Sequence, residues 1–132
     1  MKKIIITILL TIFALNTYAM KDIPQIDQKD KMIVLFVKTK NCQWCKKMDK
    51  ESFKNRDSLD KITKLYRIKK VIKGDQLLPS FINPKYYPTT YILSSDGKKL
   101  IDELPGYMKN RDFVSYLEEL YNVEMNLEQE EE

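Results

Sequence analysis

The sequence has 132 residues, a formal net charge of +4, two cysteines and no histidine. This length is enough for one compact domain and too short for two. The lysines are interleaved with acidic residues and form no basic stripe, which argues against a nucleic-acid-binding protein.

Residues 1–19 have the pattern of a secretory signal peptide. Lys2 and Lys3 precede an apolar stretch over residues 4–15, and the small residues Thr17 and Ala19 occupy the positions that a signal peptidase inspects. This stretch is shorter than the roughly 20 residues needed to span a bilayer, so we expect cleavage and not anchoring. The mature chain would begin at Met20, carry a net charge of +2 and enter an oxidising compartment outside the cytoplasm.

Residues 20–31 are polar and contain Pro24, and we interpret them as a lead-in segment. Residues 32–37 are continuously apolar and rich in β-branched and aromatic side chains, which predicts a central strand covered on both faces. A helix is expected from Cys42 to about Phe53, with Asn41 as its N-cap and Cys42 at its first position. Met48 is interpreted as a core residue of this helix.

The only two cysteines, Cys42 and Cys45, lie three residues apart in the first turn of that helix. Residues with this spacing share one helix face, so a disulfide can close within a single turn. The positive end of the helix dipole stabilises a thiolate at this position, and it lowers the pKa of a thiol. The pattern therefore indicates a reactive thiol pair.

The pair has two other interpretations, a structural disulfide and a metal site. A structural disulfide closing so short a loop removes only about 2 kcal/mol of unfolded-chain entropy, and it joins residues that the helix already holds together. Zinc prefers four nitrogen or sulfur ligands, which two cysteines without histidine do not supply. Binding of Cu(I) by Cys42 and Cys45, with Met48 as a conceivable third ligand, remains an alternative.

The rest of the chain predicts a helix, a strand, a connection, a hairpin and a final helix. The helix that follows the CxxC helix is expected over residues 58–65, with Asp57 as a candidate cap. A strand follows over residues 66–72, and residues 76–87 form an irregular connection. Strands over residues 88–93 and 99–104 flank a turn at residues 95–98.

The final helix is expected to be capped by Asn110, and it carries a regular apolar stripe. The stripe comprises Phe113, Val114, Leu117, Leu120 and Tyr121. Residues 123–132, which include five glutamates, are predicted to form an acidic disordered tail.

This order of elements resembles the thioredoxin-like superfamily. The resemblance covers residues 32–121 and rests on the motif Cys42-Gln43-Trp44-Cys45 and on Tyr87-Pro88-Thr89, whose proline follows Cys45 by 43 residues. The lysines and methionine after Cys45 and the closing Pro105-Gly106-Tyr107 most resemble the bacterial periplasmic proteins of this group. The resemblance implies an α/β thioredoxin fold over residues 32–122, with a central mixed β-sheet flanked by helices and the CxxC motif at the N-terminus of the first main helix.

The resemblance also implies roles for individual residues. Cys42 corresponds to the attacking thiol and Cys45 to the resolving thiol, and the two form the Cys42–Cys45 disulfide. Pro88 corresponds to a cis-proline beside the cysteines, where the backbone of Tyr87 can pair with a substrate peptide, and Trp44 is a further substrate-binding residue.

We expect a monomeric enzyme that uses no metal or other cofactor. Its expected partners are disulfide-containing periplasmic proteins and a membrane thiol–disulfide electron donor. Three features depart from family members: Asn41 replaces a tryptophan, Phe36 replaces a buried acid, and Gln43-Trp44 lacks the histidine of strongly oxidising members. The missing histidine favours the reducing direction.

Overall fold

The computed structural model of the chain describes residues 28–75 and 78–131. The predicted signal peptide and residues 20–27 of the lead-in lie outside the described residues. The end of the lead-in forms a short 3-10 turn over Gln28–Asp30. Within the described ranges, no helix is long and apolar enough to cross a membrane.

Within residues 28–75 and 78–131, four strands form one mixed sheet in the order β2-β1-β3-β4. The strands are β1 (Met32–Lys38), β2 (Tyr66–Ile72), β3 (Thr89–Leu93) and β4 (Leu100–Pro105). β1 pairs with β2 in parallel and with β3 antiparallel, and β3 pairs antiparallel with β4. The predicted central strand, the strand after it and the hairpin are therefore confirmed.

In the described part of the chain, three helices occur in the predicted order, two between β1 and β2 and one after β4. α1 spans Gln43–Met48 and continues as a π-helical turn over Asp49–Phe53. α2 spans Arg56–Leu65, and α3 spans Asn110–Glu130. Residues 78–88, between β2 and β3, contain neither helix nor strand, as expected of an irregular connection.

The core lies on both faces of β1, because successive side chains of a strand point to opposite faces. Val34 and Phe36 face a cluster that includes residues of all three helices. Leu35 and Val37 face a second cluster that includes Ile82 of the irregular connection. β1 is buried from Met32 to Val37, which confirms that the central strand is covered on both faces.

The predicted caps of α2 and α3 are wrong. Asn55, and not Asp57, is the N-cap of α2, because its side chain accepts a hydrogen bond from the N–H of Ser58. Lys109, and not Asn110, occupies the N-cap position of α3. The side chain of Asn110 instead accepts a hydrogen bond from the Ser58 hydroxyl at 2.8 Å, which ties the start of α3 to α2.

The prediction of a disordered tail over residues 123–132 is wrong as far as Glu130, where α3 ends. Met125 packs against the core cluster, and so does Tyr121, whose ring lies 6.1 Å from that of Tyr66. Glutamate has a high helix propensity, so the helix can continue beyond these contacts.

Candidate active site

The CxxC motif closes as a disulfide at the start of α1. Cys42 and Cys45 are bonded, with their Cα atoms 5.2 Å apart. Cys42 is the N-cap, and its sulfur accepts a hydrogen bond from the N–H of Cys45 at 3.1 Å. The sulfur thus takes the place of the oxygen that caps most helices.

The prediction that Asn41 caps this helix is therefore wrong by one residue. Asn41 has a φ of 59°, in the left-handed region that asparagine tolerates better than most residues. This conformation turns the chain from the end of β1 into the helix. Cys42 consequently lies just outside the first helical position, where its sulfur can accept a hydrogen bond from an N–H of the first turn, that of Cys45.

The two sulfurs differ in their access to solvent. Cys42 is partly exposed, whereas Cys45 is 1% exposed and belongs to the core. In thiol–disulfide exchange, the attacking sulfur has to reach the disulfide that it attacks. Cys42 is therefore the accessible, outer sulfur of the pair, and Cys45 is the shielded, inner one.

The peptide bond between Tyr87 and Pro88 is cis, as the family resemblance implied. The carbonyl oxygen of Tyr87 lies 3.8 Å from the sulfur of Cys42. The carbonyl of Pro88 accepts a hydrogen bond from the N–H of Gly106 at 2.7 Å, which holds the loop after β4 beside the start of β3. The motif and the proline loop, which are 43 residues apart in sequence, therefore meet at the outer sulfur.

An aromatic groove of about 530 Å³ adjoins this point. It is lined by Trp44, Tyr86, Tyr87, Pro105, Gly106 and Tyr107. Trp44 is 57% exposed and Tyr86 is 66% exposed, so the groove presents two large aromatic surfaces to solvent. Such exposed aromatic surface is typical of a site that binds another molecule.

The wall of the groove is held by interactions between side chains. The rings of Trp44 and Tyr107 are 5.1 Å apart, and the ammonium of Lys47 lies within 5.3 Å of both ring centres. Tyr107 donates a hydrogen bond to Glu51, which raises the pKa of the Tyr107 hydroxyl. These contacts place Trp44, predicted as a substrate-binding residue, and Tyr107, which was not predicted, in one cluster.

A second group of side chains near the cysteines was also not predicted from the sequence. The Asp49 side chain is 6% exposed, and the ammonium groups of Lys70, Lys54 and Lys38 lie 2.6, 3.4 and 3.7 Å from its oxygens. Burial acts to raise the pKa of Asp49, but the hydrogen bond and charge of Lys70, supported by the other two lysines, lower it below its usual 3.8. Asp49 is thus a buried carboxylate held in its charged form.

Met48 is fully buried within the core cluster, which confirms its predicted packing role. Among the described residues, no group of three or more histidine, cysteine or acidic side chains is placed to hold a metal ion.

Comparison with solved structures gives seven matching chains, among them the following three of similar fold. A thioredoxin-fold protein from Helicobacter pylori superposes with a TM-score of 0.60 at 21% identity, covering 74% of this chain and 73% of its own. The periplasmic thioredoxin SoxS from Paracoccus pantotrophus, in its reduced form, has a TM-score of 0.57 at 19% identity, covering 70% and 97%. A thioredoxin from Thermus thermophilus has a TM-score of 0.52 at 15% identity, covering 68% and 73%. No curated protein matches the chain by sequence.

A mixed sheet with helices packed against it, and a CxxC pair at the start of the first main helix, define a thiol–disulfide oxidoreductase of the thioredoxin fold. A family model described as a thioredoxin-like domain matches residues 19–121. The chain belongs to this thioredoxin-like family.

Proposed function

We propose that the protein is an exported, periplasmic enzyme that reduces disulfides in other proteins. The observation that carries this proposal is the pairing of a partly exposed Cys42 with a buried Cys45 at a helix start. The similarity to a periplasmic thioredoxin supports the location. The signal-peptide pattern of residues 1–19 supports export.

The proposed reaction has two exchange steps. The Cys42 thiolate attacks one sulfur of a substrate disulfide, forms a mixed disulfide and releases the other substrate sulfur as a thiolate. Cys45, once deprotonated, attacks the Cys42 sulfur, which forms the Cys42–Cys45 disulfide and releases the second substrate thiolate. Two electrons pass from the enzyme to the substrate, and the enzyme ends in the disulfide state.

The substrate is proposed to bind across the Tyr87–Pro88 loop. The Tyr87 carbonyl lies beside the outer sulfur, where it can accept a hydrogen bond from an extended peptide added alongside it. The neighbouring groove would receive a side chain of that peptide against Trp44. Cys42 and Cys45 are therefore the proposed catalytic residues, and Trp44, Tyr87 and Pro88 the proposed substrate-binding residues.

Turnover in the reducing direction requires an external source of electrons. A membrane thiol–disulfide donor is proposed to reduce the Cys42–Cys45 disulfide, and the enzyme is proposed to act as a monomer. No metal or other cofactor enters either exchange step.

The reducing direction is tested by equilibrating the Cys42–Cys45 pair with glutathione buffers. We expect a reduction potential below about −220 mV, on the reducing side of a scale that runs from about −270 mV to about −120 mV. The dithiol fraction is measured by alkylation and mass spectrometry, with Cys42→Ala as the control that cannot form the internal disulfide. A potential above this value would contradict the reducing direction.

Export is tested by recovering the protein from fractionated cells and sequencing its N-terminus. We expect material in the periplasmic fraction that begins at Met20, because small residues occupy both positions inspected by a signal peptidase. Replacing Ala19 by a bulky residue such as Phe should block processing. An intact Met1 on membrane-bound wild-type protein would contradict the proposal.

A further inference from the structure

A recess of about 240 Å³ opens beside the disulfide and shares no lining residue with the aromatic groove. Both active-site cysteines line it. Its charged lining residues are Lys38, Lys40, Lys46, Lys54 and Asp49. We call it the lysine recess; the proposed function uses its two cysteines but gives no role to its charged residues.

The lysine recess carries an excess of positive charge. The single carboxylate of Asp49 is shared by Lys38, Lys54 and Lys70, so these four residues have a net charge of +2. Lys40 is paired with Asp75 at 3.6 Å, but both side chains are well exposed, so solvent weakens that pair. The exposed Lys46 directly follows Cys45 and adds another cation.

The buried carboxylate organises this charge. Lys38 comes from the end of β1, Lys54 follows the π-helical turn and Lys70 lies on β2, so Asp49 draws together cations from three parts of the chain. Like charges gathered in this way repel one another, and Asp49 offsets only one of them. An anion entering the recess would meet ammonium groups already gathered around the disulfide.

We infer that the enzyme selects protein disulfides whose cysteines are flanked by acidic residues, an inference that rests on the proposed function. Because Cys42 lines the lysine recess, residues next to a substrate cysteine bonded to Cys42 should come close to that recess. Carboxylates there are attracted by the excess positive charge, and ammonium groups are repelled. Electrostatic attraction of this kind acts mainly on the rate of association, and salt weakens it.

The test uses three symmetrical peptide disulfides that differ only in the residues on either side of cysteine, which are Glu, Gln or Lys. The reduced enzyme is mixed with each peptide in a single turnover, and the released peptide thiol is measured. We expect the Glu peptide to react about tenfold faster than the Lys peptide at low ionic strength, with the Gln peptide between them. The difference should shrink to less than about twofold in 0.5 M salt, because salt screens exposed charges.

Two double variants test whether the lysine recess causes the preference for the Glu peptide. Lys46→Gln combined with Lys54→Gln should reduce the ratio of the Glu rate to the Lys rate by at least about threefold. The matched control is Lys61→Gln combined with Lys64→Gln, which removes the same charge from the exposed face of α2. This control should leave the ratio unchanged.

Three outcomes would overturn the inference. Equal rates for the three peptides would leave the oxidoreductase function standing and remove its acidic preference. An equal reduction of the rate ratio in the two double variants would show that the preference comes from overall charge and not from the lysine recess. No reaction with any peptide would contradict the proposed function as well.

Discussion

Replacing Cys45 with alanine is expected to turn the enzyme into a trap for its substrates. Attack needs only the partly exposed Cys42, whereas release needs a second thiol beside the mixed disulfide. The chain has no third cysteine to replace Cys45. Multiple-turnover reduction should fall by about a thousandfold, because an intramolecular thiol reacts far faster than a dilute external one.

The measurement is non-reducing electrophoresis of protein recovered from the periplasm, with and without added thiol. Cys45→Ala should give slower bands that contain the enzyme and disappear when thiol is added. Cys42→Ala is the matched control, and it should trap little because Cys45 is 1% exposed. Equal trapping by both variants would show that the roles assigned to the two cysteines are wrong.

The sequence predicts the framework of this site because its signals are local. A continuous apolar run specified β1, and this strand is buried from Met32 to Val37. The CxxC spacing specified a pair that one helical turn brings together, and the two cysteines are bonded. The position of Pro88 beside Cys42 came from the family resemblance, because nothing local in the sequence joins residues 46 positions apart.

The lysine recess was not predictable, because its members come from separate elements. Lys38 and Lys70 reach Asp49 only because β1 and β2 pair in parallel. In sequence, each lysine resembles any other solvent-exposed lysine. A weak signal was nevertheless present: Asp49 follows Cys45 by four residues, and that spacing places it on the same helix face as a buried cysteine.

The wrong prediction of Asn41 as the cap of α1 has a simple physical cause. Asparagine is among the best N-cap residues and cysteine is not, so propensity favours Asn41 over Cys42. The left-handed conformation of Asn41 moves the helix start by one residue and brings the sulfur of Cys42 to the N–H of Cys45. Sequence preference alone contains no information about the turn that precedes the helix.

Replacing Phe53 with alanine is expected to cause the largest loss of stability among single changes near the site. Phe53 is 2% exposed and lies between two other aromatic rings, 4.7 Å from Phe36 on β1 and 5.6 Å from Phe113 on α3. It ends the π-helical turn that continues the helix carrying the cysteines. Removing its ring should lower the free energy of unfolding by about 4 kcal/mol, through lost burial and the cavity left behind.

The loss is measured by urea unfolding of the oxidised protein, so that the disulfide is the same in every variant. Phe81→Ala is the matched control, because Phe81 is 43% exposed and should lose less than about 1 kcal/mol by the same truncation. If Phe53→Ala is too unstable to purify, Phe53→Leu keeps most of the volume and should cost about 1 kcal/mol. Equal losses at Phe53 and Phe81 would contradict the expectation that packing of Phe53 between Phe36 and Phe113 stabilises the protein more than the exposed Phe81 does.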